Sequence, residues 1–597
     1  EVIRENRYPN LQPPYPTGKT TGMVGVFQTP HPEYRWRVNN FRRPAAKDIV
    51  AYELLIRDFT NRRTFRAALD SLQYLKRLGV NCIELMPIME FDGNLSWGYN
   101  PAFFCAVDKY YGAEDHLREF IDSAHALGMA VVLDMVLNHA TGSNPLFQLY
   151  SATENPYFNV VARHPFNVFN DFNHEFAGTQ LFMDRVLRFW IERYRFDGYR
   201  FDLSKGFTQF NSGNNVGLWS ARDTSRIRLL KRMYDVVRTY DQSAYMILEH
   251  FAANYGFMLW GNMTHAYNEA TMGWNANSNF SGISYRQRGW QFPHLFGYME
   301  SHDEERLMYK NIQFGNRLGD YSTRDTATAL ERMKMAAAFF FTVPGPKMIW
   351  QFGEIGYDYS INWPSFTERD RLTIKPARWD YYDEPRRRAL FNVYADLIKL
   401  KLQQPAFSTE NFTLSLGGAL KRIHLNDASN PVTIIGNFDV QPQAITPNFQ
   451  SGGAWHEFFT RRTLDVADVN APIMLRPGEF RLYSKTPFPA PPAGLLTSTR
   501  DDAPASLGFS GAYPNPASDA AEIRFTLPKA ERVSVKIYDA RGVEIATVAD
   551  RAMSAGEQRV VWTAENSSGT PAPAGVYFYR IFIGSSSAGG GKIVLIR

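Results

Sequence analysis

Between about Asp48 and Leu400, short apolar runs rich in β-branched residues alternate with longer segments whose apolar positions recur at helical spacing. This alternation is typical of parallel strands joined by crossover helices. It predicts eight strands, at Ile49–Ile56, Val80–Met86, Ala130–Leu137, Gly198–Leu203, Tyr245–Glu249, near His265–Tyr267, Phe296–Glu300 and Lys347–Phe352. Eight strand–helix pairs within about 350 residues favour an α/β fold, a (β/α)8 TIM barrel with insertions.

The barrel is predicted to span residues 47–404, with its longest insertion at 140–178 after the third strand. Asn-Pro, His-Pro and Asn-Asp turn signals in that insertion indicate a short excursion domain over one face of the barrel. Residues 1–46 are rich in Pro, Gly and Thr and show no sustained period, so we expect an extended lead-in there.

Beyond the barrel the pattern changes three times. Short strands alternate with Gly, Asn and Pro turns over 405–485, which predicts a small all-β domain. Residues 486–508 are rich in Pro, Ala, Ser and Thr and are predicted to be a linker. In 509–597 apolar and polar residues alternate, as in Val533–Tyr538, which predicts a terminal β-sandwich.

Charge and composition exclude two classes of partner. The 65 Lys and Arg residues exceed the 60 Asp and Glu residues by five, and they are scattered, so nucleic acid is not a predicted partner. No run of about 18 apolar residues occurs, so no membrane span is predicted. The aromatic fraction of 15% is high and suits a sugar-binding cleft, although most of these rings are expected to fill the core.

Candidate chemistry lies where four predicted strands end, because the active site of such a barrel is at the C-terminal ends of its strands. The third to fifth and the seventh strands end in Asp134-Met-Val-Leu-Asn-His, Gly198-Tyr-Arg-Phe-Asp-Leu-Ser-Lys, Leu248-Glu-His and Met299-Glu-Ser-His-Asp. One carboxylate at a strand end is more often a helix cap or a surface ion pair. A closed barrel, however, brings Asp202, Glu249 and Asp303 around one axis, where like charges raise one another's pKa. Glycoside cleavage requires such a pair, one carboxyl protonated and one ionised.

These four motifs stand in the order found in the α-amylase superfamily of glycoside hydrolases, which the sequence closely resembles from about Ala51 to Leu400. The resemblance implies that Asp202 attacks the anomeric carbon and that Glu249 protonates the departing oxygen and later activates water. Asp303 would bind the sugar's 2- and 3-hydroxyls more tightly in the transition state. The implied activity is retaining hydrolysis of α-1,4 bonds in starch-like α-glucans or maltooligosaccharides, with no required cofactor.

The resemblance also implies a substrate-binding set: Tyr99, His139, Arg200, Lys205 and His302. Tyr99 would stack beneath the sugar, with packing on the barrel rim as the alternative. His139 and His302 would donate to sugar hydroxyls. Arg200 is expected to keep the nucleophile ionised, and a purely structural ion pair is its alternative. Lys205 would reach a leaving-group sugar or lie in solvent.

Two expectations concern the residues at the end of the third strand. Asp134 is expected to hold Arg200 rather than to catalyse. Many α-amylases bind calcium here, and Asn138 and Asp171 are weak candidates for that site. Gly206, however, follows the lysine of the fourth-strand motif where calcium-binding members usually have His. Calcium is therefore possible but not required.

Two other functions remain open. The Glu84-Leu-Met-Pro and Trp97-Gly-Tyr-Asn-Pro blocks are also similar to glycogen-branching enzymes, so a branching enzyme or 4-α-glucanotransferase is the alternative to a hydrolase. The pattern Phe201, Leu203 and Lys205 favours hydrolysis. A non-catalytic glucan-binding protein is the alternative from another class, but a binder gains nothing from three like charges in close quarters.

The C-terminal segment carries a second resemblance. Its blocks are similar to the sorting domains of type IX secretion in Bacteroidetes-type bacteria, namely Tyr513-Pro-Asn-Pro, Val535-Lys-Ile-Tyr-Asp-Ala-Arg-Gly, Ala574-Gly-Val-Tyr and Gly591-Lys-Ile-Val. This implies secretion machinery as a partner and a secreted or cell-surface location. The alternative is a generic immunoglobulin-like or sugar-binding module, and a sugar binder would expose aromatic residues on one face.

Overall fold

The computed structural model describes residues 18–19, 33–93, 95–166, 168–250, 257–496, 508–527, 531–553, 556–584 and 586–596 of the chain. Residues 1–17 and 20–32 of the predicted lead-in and 497–507 of the predicted linker lie outside these ranges. The chain divides into two compact units, residues 1–496 and 497–597.

Eight parallel strands close into a barrel, which confirms the predicted (β/α)8 fold. The strands are β1 (Val50–Leu54), β2 (Cys82–Leu85), β3 (Ala130–Met135), β4 (Gly198–Phe201), β5 (Tyr245–Leu248), β6 (Met258–Asn262), β7 (Leu295–Tyr298) and β8 (Lys347–Trp350). Around the barrel their order is β1-β8-β7-β6-β5-β4-β3-β2. Each strand therefore pairs with its neighbours in sequence.

The prediction of the sixth strand was wrong. Residues His265–Tyr267 belong to the helix Thr264–Met272, and β6 lies just before it. The strand was missed because Gly261 lowers the strand propensity of a short run. Glycine is needed at this position, since a Cβ on Gly261 would lie 2.5 Å from Leu295 Cδ1 on β7.

Helices connect the strands and cover the outside of the barrel. They span Ile56–Phe59, Phe65–Leu69, Leu72–Leu78, Glu114–Ala126, Pro145–Gln148, Ala177–Tyr194, Val216–Ser220, Thr224–Tyr240, Thr264–Met272, Leu307–Phe314, Thr326–Phe341 and Pro385–Gln403. Within the described residues, none is long and apolar enough to cross a bilayer.

The interior of the barrel changes character along its axis. Its lower part is filled by inward-pointing apolar side chains, among them Ala51, Cys82, Val132 and Ile247. Because side chains alternate along a strand, the next inward positions lie two residues further on. These positions hold Glu53, Glu84, Asp134 and Glu249. Glu53 is paired in register with Glu84, and Asp134 with Arg200, so a layer of charged groups caps the apolar interior at the C-terminal end.

The excursion after β3 is small. Its two-residue strands His139–Ala140 and Asn170–Asp171 pair antiparallel, and one short helix, Pro145–Gln148, lies between them. Phe158 and Phe172 stack with ring centres 4.4 Å apart. The paired ends fix the excursion beside the end of β3, where the third-strand motif lies.

The all-β part of the first unit packs on the barrel. Its strands are β9 (Phe412–Ser415), β10 (Leu420–Leu425), β11 (Val432–Asn437), β12 (Gln443–Ile445), β13 (Gly453–Glu457), β14 (Thr463–Val466), β15 (Ile473–Leu475) and β16 (Phe480–Ser484). Six of them form one antiparallel sheet in the order β9-β10-β11-β16-β13-β14, and β12 pairs with β15. Phe438, after β11, contacts Phe339 of the helix Thr326–Phe341 with ring centres 5.3 Å apart.

The second unit consists of two antiparallel sheets. Its strands are β17 (Gly508–Tyr513), β18 (Ala521–Leu527), β19 (Glu531–Tyr538), β20 (Glu544–Met553), β21 (Gly556–Trp562), β22 (Gly575–Ile583) and β23 (Ser586–Leu595). The sheet orders are β17-β18-β21 and β20-β19-β22-β23. Val533, Val535 and Ile537 are fully buried, as the alternation in β19 predicts. The described residues thus form the predicted sandwich.

Candidate active site

A single buried guanidinium joins three carboxylates from three neighbouring strands. Arg200 Nη1 lies 2.9 Å from both carboxylate oxygens of Asp134 and 3.2 Å from Asp202 Oδ1. Its Nη2 lies 3.3 Å from Glu249 Oε2. The guanidinium carbon stands 3.9 Å from the centre of the Trp260 ring, a cation–π contact within the barrel. The expectation that Asp134 holds Arg200 is confirmed.

The two predicted catalytic acids differ from Asp134 in exposure. The side chains of Asp202 and Glu249 are 15% and 12% exposed, whereas Asp134 is 1% exposed and Arg200 is fully buried. A group that reacts with a substrate must reach the cleft. The structure therefore brings Asp202 and Glu249 together at the solvent-accessible, C-terminal end of the barrel and leaves the Asp134–Arg200 pair buried beside them.

Burial raises the pKa of Asp202 well above its ordinary value, and the neighbouring Glu249 carboxylate raises it further. Arg200 lowers this pKa but does not offset burial and the neighbouring acids. The Asp202 carboxyl therefore holds its proton more tightly than a free carboxyl group does.

The turn after β4 is strained. Leu203 has φ 44° and ψ 41°, a left-handed conformation that is unfavourable for a bulky side chain. In this conformation its N–H donates to Glu249 Oε2 at 2.8 Å. The Ser204 hydroxyl donates to the main-chain oxygen of Glu249 at 2.9 Å. These two hydrogen bonds fix the position of Glu249 relative to the turn that carries Asp202.

The third predicted acid lies across the cleft beside a histidine. His302 Nδ1 lies 2.6 Å from Glu53 Oε1, and its Nε2 lies 3.5 Å from Asp303 Oδ2. Burial lowers the pKa of His302, but the carboxylates of Asp303 and Glu53 outweigh burial and raise it to about 10. His302 is therefore an imidazolium at neutral pH, able to donate from both ring nitrogens.

Tyr99 and His139 form one hydrogen-bonded group. The Tyr99 ring stacks on His302 with centres 5.0 Å apart, and its hydroxyl donates to Asp134. His139 Nε2 lies 2.8 Å from the main-chain oxygen of Tyr99, and its Nδ1 lies 3.2 Å from Asn138 Nδ2. His139 is buried and both its ring nitrogens are engaged. In the structure His139 thus holds the main chain of Tyr99, and its donation to a sugar hydroxyl stays a prediction.

Lys205 packs against an aromatic ring. Its Nζ lies 3.9 Å from the centre of the Trp219 ring and 3.2 Å from the Ser220 hydroxyl oxygen. The residue is 7% exposed, and burial followed by the charge of Arg226 lowers its pKa. The lysine is therefore buried rather than solvated, and its reach to a leaving-group sugar stays a prediction.

Sequence reasoning missed four residues that shape the site: Glu53, Glu84, Trp260 and Arg371. Glu53 and Glu84 were detectable as acids within otherwise apolar strands, where a carboxylate is rare. Neither carboxylate oxygen of Glu84 has a hydrogen-bond partner among the described residues, and burial and Glu53 raise its pKa well above the ordinary value. Arg371 lies in a loop without hydrophobic periodicity, so no sequence pattern could have indicated its place in the site.

The calcium candidates face a histidine. Asn138 Oδ1 and Asp171 Oδ1 are buried without a hydrogen-bond partner in the described part of the chain. His164 Nε2 lies 3.4 Å from Asp171 Oδ1. A Cβ on Gly206 would lie 1.8 Å from Asn138 Oδ1 and 2.8 Å from His164 Nε2, so only glycine allows this approach.

This donor set does not fit calcium, which takes six to eight oxygen ligands. Two oxygens and one imidazole nitrogen converge here, and the backbone of Gly206 closes one side. Over the described ranges, no three histidine, cysteine or acidic side chains converge as a metal centre requires. The His164 ring, which also stacks on Trp219, occupies the junction between the excursion and β4.

We expect His164→Ala to destabilise the first unit by about 2 kcal/mol, because it leaves two buried oxygens facing an empty volume. The measurement is the thermal midpoint, with the exposed His265→Ala as the matched control. Dialysis of the unaltered chain against EDTA should leave its midpoint unchanged. A midpoint that falls in EDTA and returns with calcium would contradict this account of the junction.

Comparison with known proteins places the barrel in a family. Residues 64–167 and 157–392 match the family model "Alpha amylase, catalytic domain", and residues 515–585 match the FlgD Ig-like domain. The malto-oligosyltrehalose trehalohydrolase of Saccharolobus solfataricus is 32% identical over 37% of this chain and 36% of its own length. The 1,4-alpha-glucan-branching enzyme of Rhizophagus irregularis is 34% identical over 32% of this chain and 29% of its own. The aligned part spans about a third of these curated relatives.

Solved structures share the fold at lower identity. The α-amylase of Geobacillus thermoleovorans, solved with acarbose, has a TM-score of 0.58 at 16% identity and covers 74% of this chain and 100% of its own. The type I pullulanase of Bacillus subtilis, solved with maltose, has a TM-score of 0.60 at 18% identity, covering 77% of this chain and 73% of its own. Because the catalytic-domain family model covers more than half of the chain, across the barrel that carries the acidic cluster, the chain belongs to the α-amylase family of glycoside hydrolases.

Proposed function

We propose that this chain is a retaining glycoside hydrolase that cleaves α-1,4-glucosidic bonds in starch-like α-glucans or maltooligosaccharides. The observation that carries the proposal is the contact of one guanidinium with both Asp202 and Glu249, at 3.2 and 3.3 Å. This arrangement holds two carboxyl groups side by side, where the charge of one disfavours ionisation of the other. A double displacement at an anomeric carbon needs one of the two protonated and the other ionised.

The first step assigns one oxygen to each role. Arg200 and the Leu203 N–H both engage Glu249 Oε2, so its Oε1 is the oxygen that carries the proton. Arg200 engages Asp202 Oδ1, which leaves Oδ2 to attack the anomeric carbon. As the Asp202–carbon bond forms, the glycosidic C–O bond breaks and Glu249 gives its proton to the departing oxygen.

The second step reverses the first with water. Glu249, now ionised, takes a proton from a water molecule whose oxygen attacks the anomeric carbon, and the bond to Asp202 breaks. Two inversions at one carbon give net retention. Asp303 contributes negative charge opposite these two acids, where positive charge develops on the sugar ring in both transition states.

The α-glucan substrate is supported by the relatives, which include a 1,4-alpha-glucan-branching enzyme and malto-oligosyltrehalose trehalohydrolases. The branching-enzyme relative also keeps glucan transfer as the second candidate. The two chemistries share the first step and differ in whether water or a sugar hydroxyl attacks the glycosyl-enzyme. The residues around the catalytic acids do not indicate a role for a metal cation in either step.

We expect Asp202→Asn to lower kcat by at least about 10³-fold, because it removes the nucleophile. Since burial raises the pKa of Asp202, its ionised form costs folding stability at neutral pH, and the thermal midpoint of the variant should be equal or higher. Glu249→Gln should also lose turnover. The control is Asp320→Asn, an exposed acid in the turn after the strand Arg317–Leu318. If Asp202→Asn kept an activity near that of Asp320→Asn, the proposed mechanism would be wrong.

The stereochemistry and the products form a separate test. Proton NMR during early hydrolysis of amylose should show the α-anomer of the new reducing end, because the mechanism retains configuration. Linkage analysis of the same reaction decides between the candidates. New reducing ends support hydrolysis, new α-1,6 linkages support branching, and an unchanged glucan would leave only a binding protein. A β-anomer as the first product would contradict the proposed double displacement.

We propose that the C-terminal unit directs the chain to the cell surface or medium through type IX secretion. The resemblance of its sequence blocks supports this, whereas the match of residues 515–585 to the FlgD Ig-like domain is to a different family and fits the alternative of a generic immunoglobulin-like module. The exposed aromatic residues Tyr513 (72%) and Phe578 (43%) lie on different sheets, in β17 and β22, rather than on one face. That placement is less suited to stacking along a single glucan chain.

A reporter protein fused to residues 509–597 should be released into the medium by a bacterium that has the type IX machinery. The reporter without the fusion should stay in the periplasm, as should the fusion in a strain that lacks the machinery. Release is measured by immunoblotting of cell and medium fractions. Equal retention of the fused and unfused reporters in the competent strain would overturn this part of the proposal.

A further inference from the structure

The loop that follows β8 places a guanidinium directly against Asp303. Arg371 Nη2 donates to the main-chain oxygen of Asp303 at 2.7 Å and to its Oδ1 at 3.0 Å. The other carboxylate oxygen, Oδ2, faces His302 Nε2 at 3.5 Å. Each oxygen of this carboxylate therefore has its own cationic partner. The Arg371 guanidinium also lies 5.5 Å from the centre of the Trp97 ring.

The turn that carries Arg371 is fixed by two other cations. Lys375 Nζ donates to three main-chain oxygens at 2.7 to 3.2 Å, those of Asp370, Arg371 and Thr373. Arg57, from the segment after β1, donates to the Leu372 main-chain oxygen at 2.8 Å. The backbone on both sides of Arg371 is therefore held before any substrate arrives. A side chain on such a support orients its partner at little cost in conformational entropy.

Asp303 needs a cation of its own. It shares the cleft with Asp202 and Glu249, and like charges disfavour a third ionised carboxylate. Arg200 already serves the other two acids and Asp134. His302 divides its charge between Asp303 and Glu53, at 3.5 and 2.6 Å. Arg371 is the cation in hydrogen-bond contact with the Asp303 carboxylate.

We propose that Arg371 is a positioning residue for the reaction: from the loop after β8 it fixes the orientation of the Asp303 carboxylate and supplies the charge that offsets it beside the other acids. This inference rests on the proposed function for its kinetic readout. It makes the loop after β8 part of the catalytic apparatus, although no residue of that loop is placed at the reacting atoms.

The electrostatics agree with this geometry. Burial raises the pKa of Asp303, but His302, Arg371 and Arg200, in decreasing order, outweigh burial and hold the pKa below its ordinary value. The charged and titratable groups around Asp303 come from four elements: Glu53 behind His302, Arg200 and Asp202 at β4, His302 and Glu304 after β7, and Arg371 after β8. Glu249, at β5, faces Asp202. Removing Arg371 therefore shifts the pKa of Asp303 upward.

The test compares kcat/KM as a function of pH for four proteins: the unaltered chain, Arg371→Gln, Arg371→Lys and Arg369→Gln. The acid limb reports the ionisation of Asp202, whose pKa the Asp303 charge raises, so loss of the offsetting charge in Arg371→Gln should move that limb to higher pH by about half a unit. It should also lower kcat about 10-fold or more, with a smaller change in KM. Arg371→Lys keeps the positive charge, so its acid limb should lie close to that of the unaltered chain. Arg369 is exposed in the same loop, so Arg369→Gln should match the unaltered chain.

An acid limb that stays in place in Arg371→Gln would overturn the inference, whatever the level of activity. If the unaltered chain shows no turnover on any glucan, the proposed function fails and the inference is tested by thermal melting instead. A carboxylate with a lowered pKa contributes stability above its unfolded pKa and loses it as the pH falls. The midpoint of Arg371→Gln should then lie further below that of the unaltered chain at pH 7 than at pH 3. An equal difference at both pH values would contradict the inference.

Discussion

The buried guanidinium of Arg200 is the interaction on which the acidic end of the barrel depends. It is fully buried, and a buried cation is costly unless carboxylates surround it. Asp134 holds it with both oxygens from the neighbouring strand, in register. Its remaining charge is shared between Asp202 and Glu249, at longer distances of 3.2 and 3.3 Å. One cation thus serves a permanent structural partner and the two more exposed acids.

Much of this arrangement could be predicted from the sequence, because it follows from the two-residue period of strands. Asp134 follows the inward-pointing Val132 by two residues, and Glu249 follows Ile247 by two, so each acid lies on the inward face of its strand. Acids in such positions must meet inside a closed barrel. The partners of His139 and Lys205 could not be predicted in this way. Their orientation is decided by residues that are distant in sequence, and periodicity carries no information about such contacts.

The surrounding loops show the same limit. Arg371 is 68 residues from Asp303 in sequence, and its contact depends on how the loop after β8 folds back across the barrel. The absence of a histidine at Gly206 was visible in the sequence. His164, which reaches the same place from the excursion, could not be identified from the sequence. Loop segments have no register that would align residue 164 with residue 206. Strand ends were therefore predictable, whereas loop contacts were not.

The pair of acids at the first two strands has a consequence for the chain as a whole. Glu84 is buried opposite Glu53 without a hydrogen-bond partner among the described residues, and its pKa is raised well above that of an unfolded chain. An acid of this kind binds a proton in the folded state that it releases in the unfolded state. Folding at a pH above the ordinary pKa of glutamate is therefore coupled to proton uptake from the solvent, and this part of the stability is fully present below that pKa and is lost as the pH rises.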